Sequence, residues 1–152
     1  MIEPYYNEDG ITIYNADCRD VLPQLERVDL VVTSPPYDDL RTYGGFSWDY
    51  KTTAEQLFQK VQTGGVVVWV VGDETKNGSE TGSSFRQALY FMEVGFNLHD
   101  TMIYQKTALS FPETNRYYPG FEYMFVFSNG APKTVNLIAD RINKYAGERV
   151  HS

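Results

Sequence analysis

Two runs that are apolar almost without interruption, "VDLVVT" at 28–33 and "VVVWVV" at 66–71, set the tightest limit on what this chain can become. A strand with one face in water alternates polar and apolar residues. Strands written as continuous β-branched runs are those covered on both faces, as in parallel sheets with helices above and below. Helix signals alternate with these runs. Thr52-x-x-Glu55 is a capping box, Ala54, Leu57, Phe58 and Val61 follow at i, i+3, i+4, i+7, and Gly64 and Gly65 stand where that helix would end. Phe85, Ala88, Leu89 and Met92 form one face of a later helix closed by Gly95. "ITIYNAD" near the start, "NLHDTMIYQK" at 97–106 and "FEYMFVFSNG" at 121–130 read as further strands, the last ending in an Asn-Gly turn signal. Asp17 can cap a short helix carrying Val21, Leu22 and Leu25. Strand, helix, strand, repeated, predicts an α/β fold with a mostly parallel sheet and helices on both faces.

The length of 152 residues fits one domain around a single core. With one cysteine, Cys18, and two distant histidines, His99 and His151, the sequence offers no internal disulfide and no metal-ligand spacing, so no metal is expected. No apolar run reaches the length of a membrane span and the N-terminus lacks the pattern of a signal peptide, so a cytoplasmic protein is expected. The net charge of −7 argues against a broad phosphate-gripping surface, because nonspecific DNA affinity comes from Lys and Arg displacing counterions. Any nucleic-acid contact must be local or supplied by another segment.

The strand at 28–33 stops at "SPPY", residues 34–37. A double proline can be a stiff strand exit or a polyproline ligand, although no PxxP repeat is present and a ligand would not be joined to a buried strand. It can also hold a ring. The carbonyls of Ser34 and Pro35 point in fixed directions, Ser34 adds a hydroxyl, and Tyr37 offers a flat face. Such a set suits a planar base bearing an amino group and swung out of a duplex. Open α/β sheets bind ligands beyond the carboxyl ends of their strands, where Pro35 and Pro36 lie.

"TSPPY" resembles the [S/D/N]-PP-[Y/F/W] motif of DNA methyltransferases that modify exocyclic amines, cytosine-N4 or adenine-N6. The surrounding "NADCRDVLPQLERVDLVVTSPPY" is similar to that family's opening block, and the later strands are similar to its subsequent ones, over about the first 130 residues. The resemblance implies a Rossmann-like methyltransferase fold, S-adenosylmethionine as methyl donor and DNA as substrate. It implies Ser34, Pro35, Pro36 and Tyr37 as the catalytic motif, with cytosine-N4 favoured over adenine-N6. Asp17 stands where the family has an acidic residue near the donor's adenine end, beside its alternative role as a helix cap. Arg41, Tyr43 and Trp48, in the glycine-containing loop after the motif, are candidates for a lid or for DNA contact, and Glu122 for proximity to the base. A non-catalytic interaction or regulatory protein that retains the fold is the alternative.

One feature of the family is missing. No strand here is followed by a glycine-rich turn of the F-x-G-x-G type; "TGGVVVW" puts its glycines before a strand and "YGGF" lies in a loop. A partial fold without the glycine-rich cofactor strand is therefore expected. Residues 1–130 would be its catalytic-motif part and 131–152 a polar tail that begins a truncated target-recognition region. A second segment or subunit would supply the cofactor motif, and a homo-oligomer is a further option. In the resembling family two strands of the missing part separate the one matching 11–15 from the one matching 28–33. Here 28–33 should form one sheet with 66–72, 97–106 and 121–128, the last antiparallel to its neighbours, while 11–15 pairs beside 28–33, sits detached or finds a partner chain.

Overall fold

A computed structural model describes residues 2–36, 48–107, 116–117 and 120–136. The chain begins with a hairpin of β1 (Tyr6–Glu8) and β2 (Ile11–Ile13), paired Tyr6 to Ile13 and Glu8 to Ile11. Its two-residue turn is Asp9-Gly10, both left-handed at φ 52° and 77°, the backbone whose twist matches the flanking strands. Asp17 then caps α1 (Cys18–Val21), accepting from the backbone N–H of Arg19 at 2.9 Å, and a 3₁₀ turn follows over Leu22–Gln24.

The main sheet has four strands: β3 (Val28–Thr33), β4 (Val61–Val71), β7 (Asn97–Gln105) and β8 (Phe121–Ser128), in the order β3-β4-β8-β7. The β3 and β4 strands are parallel, and β8 runs antiparallel to both β4 and β7. Two helices lie between β3 and β7 in sequence. These are α2 (Tyr50–Lys60) and, after a small hairpin of β5 (Thr75–Lys76) and β6 (Ser79–Glu80), α3 (Ser83–Val94). The expected sheet is thus present, with its antiparallel last strand, and 11–13 sits detached from it in its own hairpin.

Both long helices pack on one face of the sheet. Ala54 and Leu57 of α2 and Ala88 and Phe91 of α3 close on Val67, Trp69 and Val71 of β4 and on Phe125 and Phe127 of β8. Phe91 stacks on Phe127 at 4.6 Å and leans on Trp69 at 4.8 Å. Each such ring contributes about 1.5–3 kcal/mol through the water it excludes. The Trp69 indole N–H donates to Gln87 Oε1 at 2.9 Å, so these two buried polar groups satisfy each other.

Several expectations need correction. Asp49, not Thr52, caps α2, its Oδ1 accepting from the N–H groups of Lys51 and Thr52 and its Oδ2 from the Thr52 hydroxyl. Glu55 instead accepts from the Tyr90 hydroxyl at 2.6 Å. The helix gives way to β4 at Val61, so Gly64 and Gly65 lie inside the strand rather than ending the helix. There the register jumps from Val28↔Val61 to Leu30↔Val66, two steps in β3 (30−28) against five in β4 (66−61). The looped-out residues are clamped by the turn after β8: Gly64 N donates to Asn129 O, Asn129 N to Gly65 O, and Asn129 Nδ2 to Val61 O.

The buried face of α3 is rotated from the predicted one. Ser84, Gln87, Ala88 and Phe91 point inward, while Phe85, Leu89 and Met92 are exposed. The reason is chemical: Gln87 is needed inside by Trp69, and Ser84 by a carboxylate at the end of β4. The double cover expected for 28–33 is also absent among the described residues, since Leu30 and Val32 are 58% and 66% exposed. The sheet is mixed, with three strands pointing one way, and the two long described helices share one face.

Candidate active site

The geometry of the site follows from register. Thr33 stands opposite Trp69 on β4, and Tyr123 on β8 stands opposite Val71. Ser34–Pro36 therefore leave β3 level with the last residues of β4, and Glu122 lies at the same end of the sheet. Ser34 is exposed, Pro35 buried and Pro36 half-buried. A proline ring has no N–H to leave unsatisfied, so Pro35 can be enclosed at a strand end at no hydrogen-bonding cost. Tyr37, Arg41 and Tyr43 lie outside the described residues.

Glu122 is nearly buried, its side chain 16% exposed, and Lys106 Nζ lies 2.8 Å from its Oε1. Lys106 sits just past β7, and its backbone N–H donates to Gly120 O at 2.8 Å, which closes the mouth between β7 and β8. Sequence reading missed Lys106. The available signal was a lysine ending one strand and a glutamate opening the next, a cross-strand pairing of opposite charge.

Trp48 does not stand out in the mouth. Its ring is half-buried and stacked on Trp69, with centroids 6.3 Å apart and planes 25° apart, and its indole N–H is buried without a partner among the described residues. Tyr123 likewise belongs to a ring ladder with Phe85, Phe121 and Phe125.

Asp73, just beyond β4, spends its carboxylate on the start of α3. Oδ1 accepts from Thr81 Oγ1 at 3.3 Å, Ser83 Oγ at 3.2 Å and Ser84 N at 3.0 Å, and Oδ2 from the Ser84 hydroxyl. Gly82, the residue preceding α3, has no side chain to do this. The helix end that opens on the crevice is therefore already neutralised by a carboxylate rather than left for an anion.

Asp17 holds Arg19 in a two-pronged pair, Nε to Oδ1 at 3.0 Å and Nη2 to Oδ2 at 2.6 Å. The hydrogen bonds from Arg19 lower the Asp17 carboxyl to a pKa of about 2. Burial pushes the neighbouring Cys18 thiol up. The cap role of Asp17 is thus realised. Among the described residues no other part of a donor site assembles around it. Three of the described glycines are packed against the protein itself, Gly65 against Asp29 O and Val61, Gly64 against Lys133 and Gly95 against the Phe58 ring. The described residues do not by themselves fit S-adenosylmethionine. They also contain no cluster of three or more His, Cys, Asp or Glu, and no helix long and apolar enough to cross a membrane.

Comparison with known proteins places this geometry in context. Residues 28–151 match the family model of the N6 and N4 methyltransferases, described as DNA methylase. The orphan methyltransferase M.BamHII of Bacillus amyloliquefaciens is 65% identical over 124 residues, 82% of this chain and 47% of that protein. The chain thus spans about half the length of that relative. Among solved structures, the PvuII DNA methyltransferase (cytosine-N4-specific) superposes with a TM-score of 0.67 at 19% identity, covering 89% of this chain and 60% of its own. The M1.HpyAVI–SAM complex superposes at 0.61 and 18%, covering 86% and 60%. At such identities the likeness is one of fold.

Proposed function

The chain belongs to the DNA methylase family of N6 and N4 methyltransferases, and we propose that it carries the base-holding half of an amino-group DNA methyltransferase, with cytosine-N4 favoured over adenine-N6. The observation that carries this reading is the placement of Ser34–Pro36. The motif leaves the parallel edge strand at its carboxyl end, with Pro35 buried, Ser34 exposed and Glu122 at the same end of the sheet. The fold is shared with the PvuII enzyme, whose description is cytosine-N4-specific, and this supports the N4 preference.

An exocyclic amine is a weak nucleophile because its lone pair is delocalised into the ring. Acceptance of its two hydrogens by the Ser34 side chain and the Pro35 carbonyl favours a more pyramidal, more nucleophilic nitrogen. Tyr37 stacks on the base and fixes the plane in which the nitrogen is presented. Glu122, held by Lys106, borders the base, while Arg41 and Tyr43 of the loop after the motif face DNA. S-Adenosylmethionine, when bound, supplies a methyl group already carrying a good leaving group, so the task left to these residues is alignment and electrostatic accommodation. Asp17, whose carboxylate caps α1 and pairs with Arg19, would add one contact to the donor once the rest of that site is present. Residues after 130 begin the region that reads the DNA sequence.

The test is a chimera in which this chain replaces the matching 124 residues of the Bacillus amyloliquefaciens relative. Methyl transfer to DNA should yield N4-methylcytosine in nucleoside digests. Tyr37→Ala should lower turnover by orders of magnitude with donor affinity retained, and Tyr37→Phe should be mild. N6-Methyladenine would establish the other amine as target. A folded chimera that transfers no methyl group, beside an active parent, would overturn the reading and favour a non-catalytic role.

A further inference from the structure

The β5–β6 hairpin does no work inside the molecule. Residues 75–80 are all exposed and none belongs to the core. Two-stranded hairpins are marginal in water unless something holds them. This one is held at its tip, its base and its side. The turn, Asn77-Gly78, is left-handed at both residues, with φ 52° and 78°. Across the base, Thr81 N donates to Glu74 O at 2.9 Å. From the segment between β7 and β8, Arg116 donates to the Thr75 hydroxyl and, through Nη2, to Gly78 O at 3.3 Å. A projection braced this firmly that adds nothing to the core is shaped for a contact outside it.

Its position and its charges say which contact. The β4 strand ends at Val71, opposite Tyr123, and Asp73 ties the residues beyond it to the start of α3. The hairpin therefore rises from the end of the sheet at which Ser34–Pro36 leave β3. Register divides its faces. Thr75 stands opposite Glu80 and Lys76 opposite Ser79; opposed residues share a face and successive ones alternate. Arg116 lies on the Thr75 face, so Glu80 is turned to that side and Lys76 to the other. The Lys76 side chain stays 52% exposed while paired with Glu74 at 3.0 Å, and exposed pairs contribute so little that a second anion can share the lysine at small cost. Arg86, one turn into α3, is also exposed, and its guanidinium makes no ion pair or hydrogen bond among the described residues. Its Nη1 comes to 3.9 Å from the place a Cβ would take on Gly82, so it reaches back to the foot of the hairpin.

Resting on the methyltransferase reading, we infer that this hairpin and Arg86 grip the phosphate backbone of the DNA beside the base presented to Ser34–Pro36, with Lys76 and Arg86 as the two cations. Swinging a base out of the duplex displaces its own sugar and phosphates, so the neighbouring backbone needs a rigid hold. A two-stranded ribbon is narrow enough to enter the major groove. A chain of net charge −7 has no broad basic surface, and two cations on one braced projection supply the local contact it requires.

The experiment has two parts. In the first, a short random-sequence duplex is titrated at low salt into the isotope-labelled chain. Amide resonances of 75–80 and of Arg86 should shift before the rest; shifts elsewhere with these unmoved would overturn the inference. In the second, the chimera with the Bacillus amyloliquefaciens relative is assayed on unmethylated plasmid DNA. Lys76→Gln and Arg86→Gln should each raise KM for DNA about tenfold, the scale of one charge-assisted contact, with kcat and donor affinity unchanged. Each should also reduce the slope of log affinity against log salt by about 0.9. Lys76→Arg and Arg86→Lys should restore both readouts, which a packing role would not require. The glutamine variants should leave the melting midpoint unchanged, because both side chains lie on the surface.

KM and salt slope at the parent's values, or a fall in kcat with KM unmoved, would overturn the inference while methyl transfer by the chimera upheld the functional reading. A chimera that binds DNA with the same dependence on Lys76 and Arg86 but transfers no methyl group supports the grip and counts against that reading, so the two fail separately.

Discussion

Gly65 offers a direct test of how β3, the strand that ends at Ser34–Pro36, is held. A Cβ added there would lie 2.8 Å from Val61 Cγ1, 2.9 Å from Asp29 O and 3.0 Å from Gln62 O. Two of these three neighbours are main-chain oxygens that cannot rotate away, and one of them belongs to β3. The backbone at Gly65 is not left-handed, so Gly65→Ala adds no intrinsic strain and acts through collision alone. Overpacking of this kind costs about 1–3 kcal/mol, and at about 2 kcal/mol the melting temperature of a chain this long falls roughly 4–8 °C. Gly78→Ala is the control. It has no atom within 4 Å but a φ of +78°, so it should cost about 1 kcal/mol of conformational strain. Calorimetric melting should rank the two, and hydrogen exchange should locate the damage. In Gly65→Ala the amides of 28–33 should exchange faster, whereas in Gly78→Ala they should not. A Gly65→Ala protein that melts with the parent, or that melts above Gly78→Ala, would show that the close approach of β3 to the looped-out part of β4 does not limit this packing.

Two further outcomes follow from the helices. Asp49→Ala should destabilise the protein by about 1 kcal/mol through loss of the α2 cap, and Asp49→Asn by much less, while Glu55→Gln leaves the start of α2 intact by circular dichroism. The Thr52 hydroxyl bond holds the Asp49 carboxyl below its usual range, in keeping with a charged cap. The hydrogen bond from the Tyr90 phenol to Glu55 raises its pKa from 10.0 to about 12. Its folded value lies above its unfolded one, so the contribution is fully present below pH 10 and is lost as pH rises toward 12. A phenolate absorbance titration should show one late tyrosine that returns toward its ordinary value in Glu55→Gln; an unchanged titration would disprove the pairing.

The parts of the fold legible in the sequence are those where one local signal has one physical meaning. The strands at 97–105 and 121–128 and the Asp17 cap appear where their residues put them, while Asn129-Gly130 ends the last strand in a bend rather than a hairpin turn. Two hairpins were missed although their turns are written plainly. Asp9-Gly10 and Asn77-Gly78 both take paired left-handed φ values, and each joins strands too short for periodicity to register. The start of α2 was misplaced because Thr52 and Asp49 both carry cap-forming oxygens, and only the fold decides that Asp49 bonds Thr52. The phase of α3 was misread because counting apolar residues assigns Ser84 and Gln87 to solvent. A polar group goes inside when its partner is there, and those partners, Asp73 and Trp69, lie 11 and 18 residues away in sequence. The site divides in the same way: the motif's position at a strand end could be read locally, whereas the Lys106–Glu122 pair and the burial of Trp48 depend on which strands become neighbours.

The strand at 28–33 is where local pattern and observed burial disagree, and the disagreement has a direction. A stretch of Val, Leu, Val, Val and Thr broken by one Asp is composed for cover on both sides, yet Leu30 and Val32 lie more than half exposed at a sheet edge. Elsewhere such mismatches resolve inward, as at Gln87, where a polar residue proves buried because a partner awaits it. Here the mismatch resolves outward. Exposed apolar side chains and unpaired strand groups are both unfavourable, so Leu30 and Val32 make β3 costly to leave bare, and the same strand ends at Ser34–Pro36, which ties the least protected edge of the described sheet to the candidate site.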